Sequence, residues 1–204
     1  MNDMVSKNGS KTTHVWYAGY GSNLFRERFL RYVLGGQFRW GGSDARGCSD
    51  KTLPDSRPIM IPHELFFAKN SGSWEDGGVA FVSMKRTKDK QTYGRMWKVT
   101  ADQFLEIWDQ EGMTWYNTVL YLGKRDGLPI ITITNNQQLT PTKPSNCYVK
   151  TIVAGLKETY QMSDKEILKY LIEKPGISGN YDEQEIISIL KDKDIVTISK
   201  SIQS

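Results

Sequence analysis

The sequence predicts an α+β fold whose sheet curls toward a barrel, on three observations: a single early helix, a strand-rich middle, and helical periodicity from Thr151 onward. The chain divides into a leader over 1–13, a main domain over 14–160, and a helical C-terminal extension over 161–204 packed on that domain.

Met1 to Thr13 is polar and reads as a disordered leader. His14 to Tyr20 is rich in aromatics and reads as a strand, ending in a glycine-punctuated turn where Ser22 or Asn23 is placed to cap a helix. That helix runs from Leu24 to about Leu34, and Gly35-Gly36 stops it because glycine readily adopts the left-handed conformation beyond a helix end. Arg39 to Arg57 is polar and glycine-rich, an irregular connection. Extended segments follow at about Met60 to Ala68, Gly78 to Met84 and Thr92 to Val99, with Lys85 to Lys90 as a hairpin tip. Thr100-Ala101-Asp102-Gln103 has the form of a capping box opening a short helix. Two more strands, Thr118 to Gly123 and Ile130 to Thr134, are joined through Asp126-Gly127. After Thr151 come helices behind a second capping box at Ser163 to Glu166 and over Asp182 to Leu190, before a tail that fades into polar residues.

With 38% hydrophobic and 25% charged residues in 204, the chain can bury one sizeable core and has the composition of an ordinary globular protein. No run approaches the roughly 18–20 apolar residues of a membrane span, and the first residues lack the apolar segment of a secretory signal, so a cytoplasmic protein is expected. Cys48 and Cys147 share no paired spacing and read as reduced thiols, although a bridge between them stays open. His14 and His63 are the only histidines, which leaves little to build a catalytic metal centre on. The net charge of +4 comes from dispersed lysines and arginines and forecasts no nucleic-acid surface. Oligomeric state is not legible.

Two constellations carry chemistry. Tyr17-Ala18-Gly19-Tyr20-Gly21-Ser22-Asn23-Leu24 lies at a strand-to-helix turn, which can aim backbone N–H groups and the positive end of a helix dipole at an anion. A tight turn that simply requires glycine explains the same letters. Residue 24 is leucine where a dinucleotide fingerprint wants its third glycine, so that motif is excluded. The second constellation is Trp108-Asp109-Gln110-Glu111-Gly112. At about 100° per residue, Phe104, Ile107, Trp108 and Glu111 share one helix face, while Asp102, Glu106 and Asp109 point elsewhere. A carboxylate on an apolar stripe beside the negative end of the dipole should have a raised pKa, as a general acid–base requires. A solvent-exposed glutamate at a frayed helix end fits the same pattern.

These segments resemble the γ-glutamylcyclotransferase-like (AIG2-like) family. Tyr20-Gly21-Ser22-Asn23-Leu24 is similar to its substrate loop, and Asp109-Gln110-Glu111-Gly112 to the segment carrying its catalytic glutamate. Gly77 to Ala80, Tyr93 to Trp97 and Tyr148 to Ile152 follow in family order, over about Val15 to Tyr160. Asn23 stands where the branch acting on glutathione has leucine, and the C-terminal stretch resembles a bacterial subgroup. The resemblance implies a mixed β-barrel with flanking helices. It also implies a cofactor-independent release of 5-oxoproline from a small γ-glutamyl compound, with Glu111 catalytic. Substrate would be held by Tyr17, Ala18, Gly19, Tyr20, Gly21, Ser22, Asn23, Tyr116 and Tyr148, with no metal, nucleic acid or membrane involved. The competing expectation is a noncatalytic module that binds a small ligand in the same pocket.

Overall fold

A computed structural model describes residues 13–203 of the chain. The leader expected over 1–13 lies outside the described residues apart from Thr13, whose carbonyl accepts a hydrogen bond from Ala101 N.

Strand β1 (His14–Gly19) is the middle strand of the larger sheet. It pairs antiparallel with β5 (Thr92–Thr100) and parallel with β7 (Leu128–Thr134), in a five-stranded mixed sheet of order β2-β5-β1-β7-β6. Strands β2 (Ser56–Ile61) and β6 (Thr118–Arg125) are its edges. Strands β3 (His63–Ser71) and β4 (Gly77–Arg86) form a separate antiparallel pair.

The expected barrel is therefore not closed: the five-stranded sheet keeps two edges. Side-chain hydroxyls join the two sheets instead, Thr92 Oγ1 donating to His63 O and Thr134 Oγ1 to Val82 O, each at 2.6 Å. Pro62 explains the division. It has no N–H to continue a ladder, and it splits the extended run expected from Met60 to Ala68 into β2 and β3, which belong to different sheets. Likewise Lys85 to Lys90 is not a hairpin tip, because β4 and β5 do not pair; it crosses between the sheets around Thr87 Oγ1, which accepts from Asp89 N and Lys90 N. The β6–β7 connection is a true hairpin, with positive φ at Asp126 and Gly127 as a two-residue loop requires.

Alternate β1 side chains face opposite layers. Val15 and Tyr17 meet helices α1 (Arg26–Leu34) and α2 (Ala101–Glu111) through Phe29, Val33, Phe104 and Ile107, with Phe29 stacked on Trp97 at 4.2 Å. Trp16 and Ala18 meet the β3–β4 pair and helix α3 (Asn146–Tyr160). Burial on both faces is why this strand reads as a nearly unbroken apolar run.

Capping boxes form at Thr100 with Gln103, Ser163 with Glu166, and Asp182 with Glu185. Helix α3 starts before the periodic segment noted at Thr151, because Ser145 Oγ accepts from Tyr148 N. Helices α4 (Asp164–Ile172), α5 (Glu183–Leu190) and α6 (Lys193–Gln203) follow. Their Ile167, Leu171, Ile186 and Ile195 belong to the same core cluster as Trp16. Where the sequence suggested a polar tail, α6 is helical and anchored by fully buried Ile195. No helix among the described residues is long and apolar enough to cross a membrane.

Candidate active site

The chain leaves β1 at Gly19 and turns at Gly21, where φ is +62°. A four-residue 3-10 turn (Gly21–Leu24) follows, and α1 begins only at Arg26. Neither Ser22 nor Asn23 caps α1, contrary to the sequence expectation: Phe25 is the cap residue and makes no side-chain cap bond. Nor is the start of that helix open to a ligand. The Glu158 carboxylate accepts from Arg26 N at 2.9 Å and meets the positive end of the dipole.

Asn23 has a different task. Its side-chain nitrogen donates to Glu111 Oε1 at 2.5 Å and to Tyr17 Oη at 3.3 Å, while its carbonyl accepts from Trp97 Nε1 at 3.1 Å. Glu111 is the last residue of α2, and Gly112, with φ of +87°, turns the chain away. Burial pushes the Glu111 carboxyl up from the ordinary carboxylate range. The positive charge of Arg28 and hydrogen bonding from Asn23 and Tyr32 work against that shift without cancelling it.

Two tyrosines grip the backbone of one residue of β4. Tyr148 Oη accepts from Ala80 N at 3.0 Å, and Tyr116 Oη donates to Ala80 O at 3.1 Å. Burial pushes the Tyr148 hydroxyl up to about 12 and those of Tyr17, Tyr20 and Tyr116 well above the ordinary phenol value, so all four stay neutral near pH 7. Tyr20 Oη donates to Ile133 O at 2.6 Å.

Tyr17, Tyr20, Ser22, Asn23, Tyr116, Tyr148 and Glu111 thus converge on a small inner pocket. Ser22, Tyr116, Tyr148 and Glu111 also line a cavity of about 610 Å³ that opens outward past Trp74, Trp115 and Arg46. Ala18, Gly19 and Gly21 line neither. Ala18 is sheet backbone, its carbonyl accepting from Thr132 Oγ1. Packing requires both glycines: a Cβ on Gly21 would lie 2.6 Å from Ala80 Cβ and 2.9 Å from Tyr148 Oη, and one on Gly19 would lie 2.8 Å from Asn23 Cβ.

Asp109 and Glu106 sit on other faces of α2, as expected. Asp109 pairs with Arg46 at 2.7 Å on the cavity rim, and Glu106 accepts from Ser49 N and Oγ. The residues missed in the sequence are Arg28 and Tyr32, neighbours across one turn of α1 that both line the cavity. Arg28 is 3% exposed and its Nη2 donates to Tyr32 Oη at 2.6 Å. The signal was present, since a charge at i and a tyrosine at i+4 flank Phe29 on the helix face that follows the loop. Among the described residues, no three His, Cys, Asp or Glu side chains converge as a metal-binding group.

No family model matches the chain. Among curated proteins it is similar to histone deacetylase 5 of Arabidopsis thaliana, 28% identical over 198 residues, covering 77% of this chain and 30% of that protein. The chain therefore spans under a third of the length of this relative. Among solved structures it is similar to a γ-glutamyl cyclotransferase (TM-score 0.55, 21% identical, covering 87% of this chain and 99% of the other). An uncharacterized human protein matches comparably (TM-score 0.51, 22% identical, 88% and 99%). So does YkqA from Bacillus subtilis (TM-score 0.51, 15% identical, 77% and 54%). At these identities the likeness establishes the fold: the chain is a mixed α+β protein of γ-glutamyl cyclotransferase-like architecture.

Proposed function

We propose that the protein is a cofactor-independent γ-glutamyl cyclotransferase. The observation that carries the reading is Glu111: a carboxylate on a cavity wall, pushed up by burial, with one oxygen fixed by an amide from the Tyr20 to Leu24 loop. A group so placed can take a proton near neutral pH and return it.

The reaction needs no external nucleophile. The α-amine of the γ-glutamyl unit attacks its own γ-carbonyl carbon, forming the five-membered lactam ring, and the bond from that carbon to the leaving nitrogen breaks. Glu111 takes the proton that the attacking nitrogen sheds and delivers it to the departing nitrogen, so 5-oxoproline and a free amine leave and the carboxylate is restored. Folding the substrate so that its two ends meet supplies much of the rate, because nucleophile and electrophile already share a molecule. Tyr116 and Tyr148 are held by Ala80 at the mouth of the inner pocket and position the glutamyl unit. The neutral Tyr148 hydroxyl, which accepts from Ala80 N and so keeps its own proton to donate, favours the developing oxyanion on the γ-carbonyl. Incubation with a panel of γ-glutamyl amino acids, amines and peptides should yield 5-oxoproline from at least one, in the presence of chelator. Binding of panel members without 5-oxoproline would assign the fold a noncatalytic role.

A further inference from the structure

Arg28 is 3% exposed and lines the outward cavity with Tyr32, Trp74 and Glu111. Among the described residues no carboxylate lies within ion-pairing distance of its guanidinium. Nη2 donates to Tyr32 Oη at 2.6 Å, whereas Nε and Nη1 have no acceptor. A guanidinium presents paired donors along two edges, one shared by Nε and Nη2, the other by Nη1 and Nη2. Whichever Nη2 hydrogen Tyr32 takes, the other edge keeps both of its donors, the fork that receives a carboxylate through two parallel hydrogen bonds. Rings hold the group in place, that of Tyr32 with its centre at 4.3 Å and that of Trp74 at 5.8 Å. Gly42 keeps a side chain away from it: a Cβ there would lie 3.1 Å from Trp74 and 3.4 Å from Arg28 Nε and Nη2. A buried arginine without a counter-charge is costly, and the Tyr32 hydroxyl satisfies one donor but balances no charge.

We propose that Arg28 anchors a carboxylate of the ligand, so that the cavity takes acids and discriminates against their amides. The other cation on the cavity wall, Arg46, is already paired with Asp109 at 2.7 Å. One positive charge is therefore left for a ligand to answer. Asp44, Asp109 and Glu111 line the same space, and their negative charge disfavours a dianion such as phosphate while a single carboxylate matches the single free cation. A γ-glutamyl amino acid offers two such groups, the α-carboxylate of the glutamyl unit and the carboxylate of the leaving amino acid. That ligand class rests on the cyclotransferase reading, whereas the carboxylate anchor does not.

Calorimetric binding to Glu111→Gln, which should not turn ligand over, tests the anchor with γ-glutamylalanine and its two mono-amides, one at each carboxylate. At least one amidation should weaken binding about tenfold or more, the loss expected for a charged fork left without its partner. Adding Arg28→Met should weaken the parent dipeptide by a similar factor, and the amidation whose effect then vanishes identifies the carboxylate that Arg28 holds. Arg28→Lys should recover part of the loss. Separately, glutarate should raise the Tm of the wild-type protein, glutaramide should not, and the rise should disappear in Arg28→Met. Neither amidation weakening the dipeptide, or a folded Arg28→Met that still separates acid from amide, overturns the proposal. The amide series needs no change at position 28, so it decides the matter even if Arg28→Met fails to fold. No binding of the dipeptide together with no rise from glutarate also overturns it, and an equal rise with inorganic phosphate overturns the assignment to a carboxylate. A rise specific to glutarate, without 5-oxoproline from any γ-glutamyl compound, would keep the anchor and overturn the cyclotransferase reading instead.

Discussion

Glu111 is caught between opposed effects, and each neighbour can be assigned a sign. Burial favours the protonated acid, while the Arg28 charge and hydrogen bonds from Asn23 and Tyr32 favour the carboxylate; burial is the largest. A base with a raised pKa loses activity as pH falls through that value. Removing a donor to the ionised form should raise the pKa further, so Asn23→Ala should shift the acid limb of the kcat/KM profile to higher pH while the plateau is reached later. A profile that drops at all pH values without moving its limb would show that Asn23 only supports the loop. Glu111 itself was legible because its helix period puts it among aromatics. Its partner Asn23 was legible as a loop residue but not as a ligand of Glu111, since 88 residues separate them and no local rule joins the two.

At the scale of elements, the site depends on how closely α3 approaches the loop between β1 and α1. Gly155 is the point of contact: a Cβ there would stand 2.4 Å from Leu24 Cβ and 2.7 Å from the Leu24 carbonyl carbon and Phe25 N. Two of these atoms are backbone and cannot rotate away. Gly155→Ala should therefore lose about 1–3 kcal/mol, the usual cost of overpacking, despite the better helix propensity of alanine. It should also lower turnover, because α3 carries Tyr148 and the loop carries Asn23. Urea unfolding checks the first, and an unchanged or raised midpoint would contradict this packing. The helix starts marked by capping boxes were readable, since that chemistry is local: the donors at Thr100 and Ser163 are satisfied within a single turn, whereas α1, capped by Phe25, and α3, which begins before Thr151, carry no such box. Sheet membership was the least readable. Nothing within Met60 to Ala68 except Pro62 announces that the run divides between two sheets, because β2 pairs with β5, beyond the two intervening strands, while β3 pairs with its immediate successor β4.

Across the whole molecule, the C-terminal helices are part of the core that backs the site. Ile167, Leu171, Ile177, Ile186 and Ile195 are fully buried in the cluster that contains Trp16, Ala18 and Tyr148. Lys150 of α3 is paired with Asp192 and Asp194 at 2.9 and 2.8 Å. At about 1.5–3 kcal/mol for each buried aliphatic side chain, losing these five is comparable to a typical total stability of about 5–15 kcal/mol. A chain ending at Gln161 should fail to unfold cooperatively on heating; a sharp transition near the full-length Tm would mean that residues 14–160 stand alone. The tail was misread because Ile195 and Ile198 are too few to mark a periodic face by themselves; the rest of the molecule supplies the surface they bury against. The most direct test of the proposed function is turnover by Glu111→Gln against wild type on a γ-glutamyl compound that both bind. Glutamine keeps the size and the hydrogen bond to Asn23 but cannot shuttle a proton, so 5-oxoproline release should fall by about 10²-fold to 10⁴-fold with affinity retained. Release at the wild-type rate would contradict the mechanism.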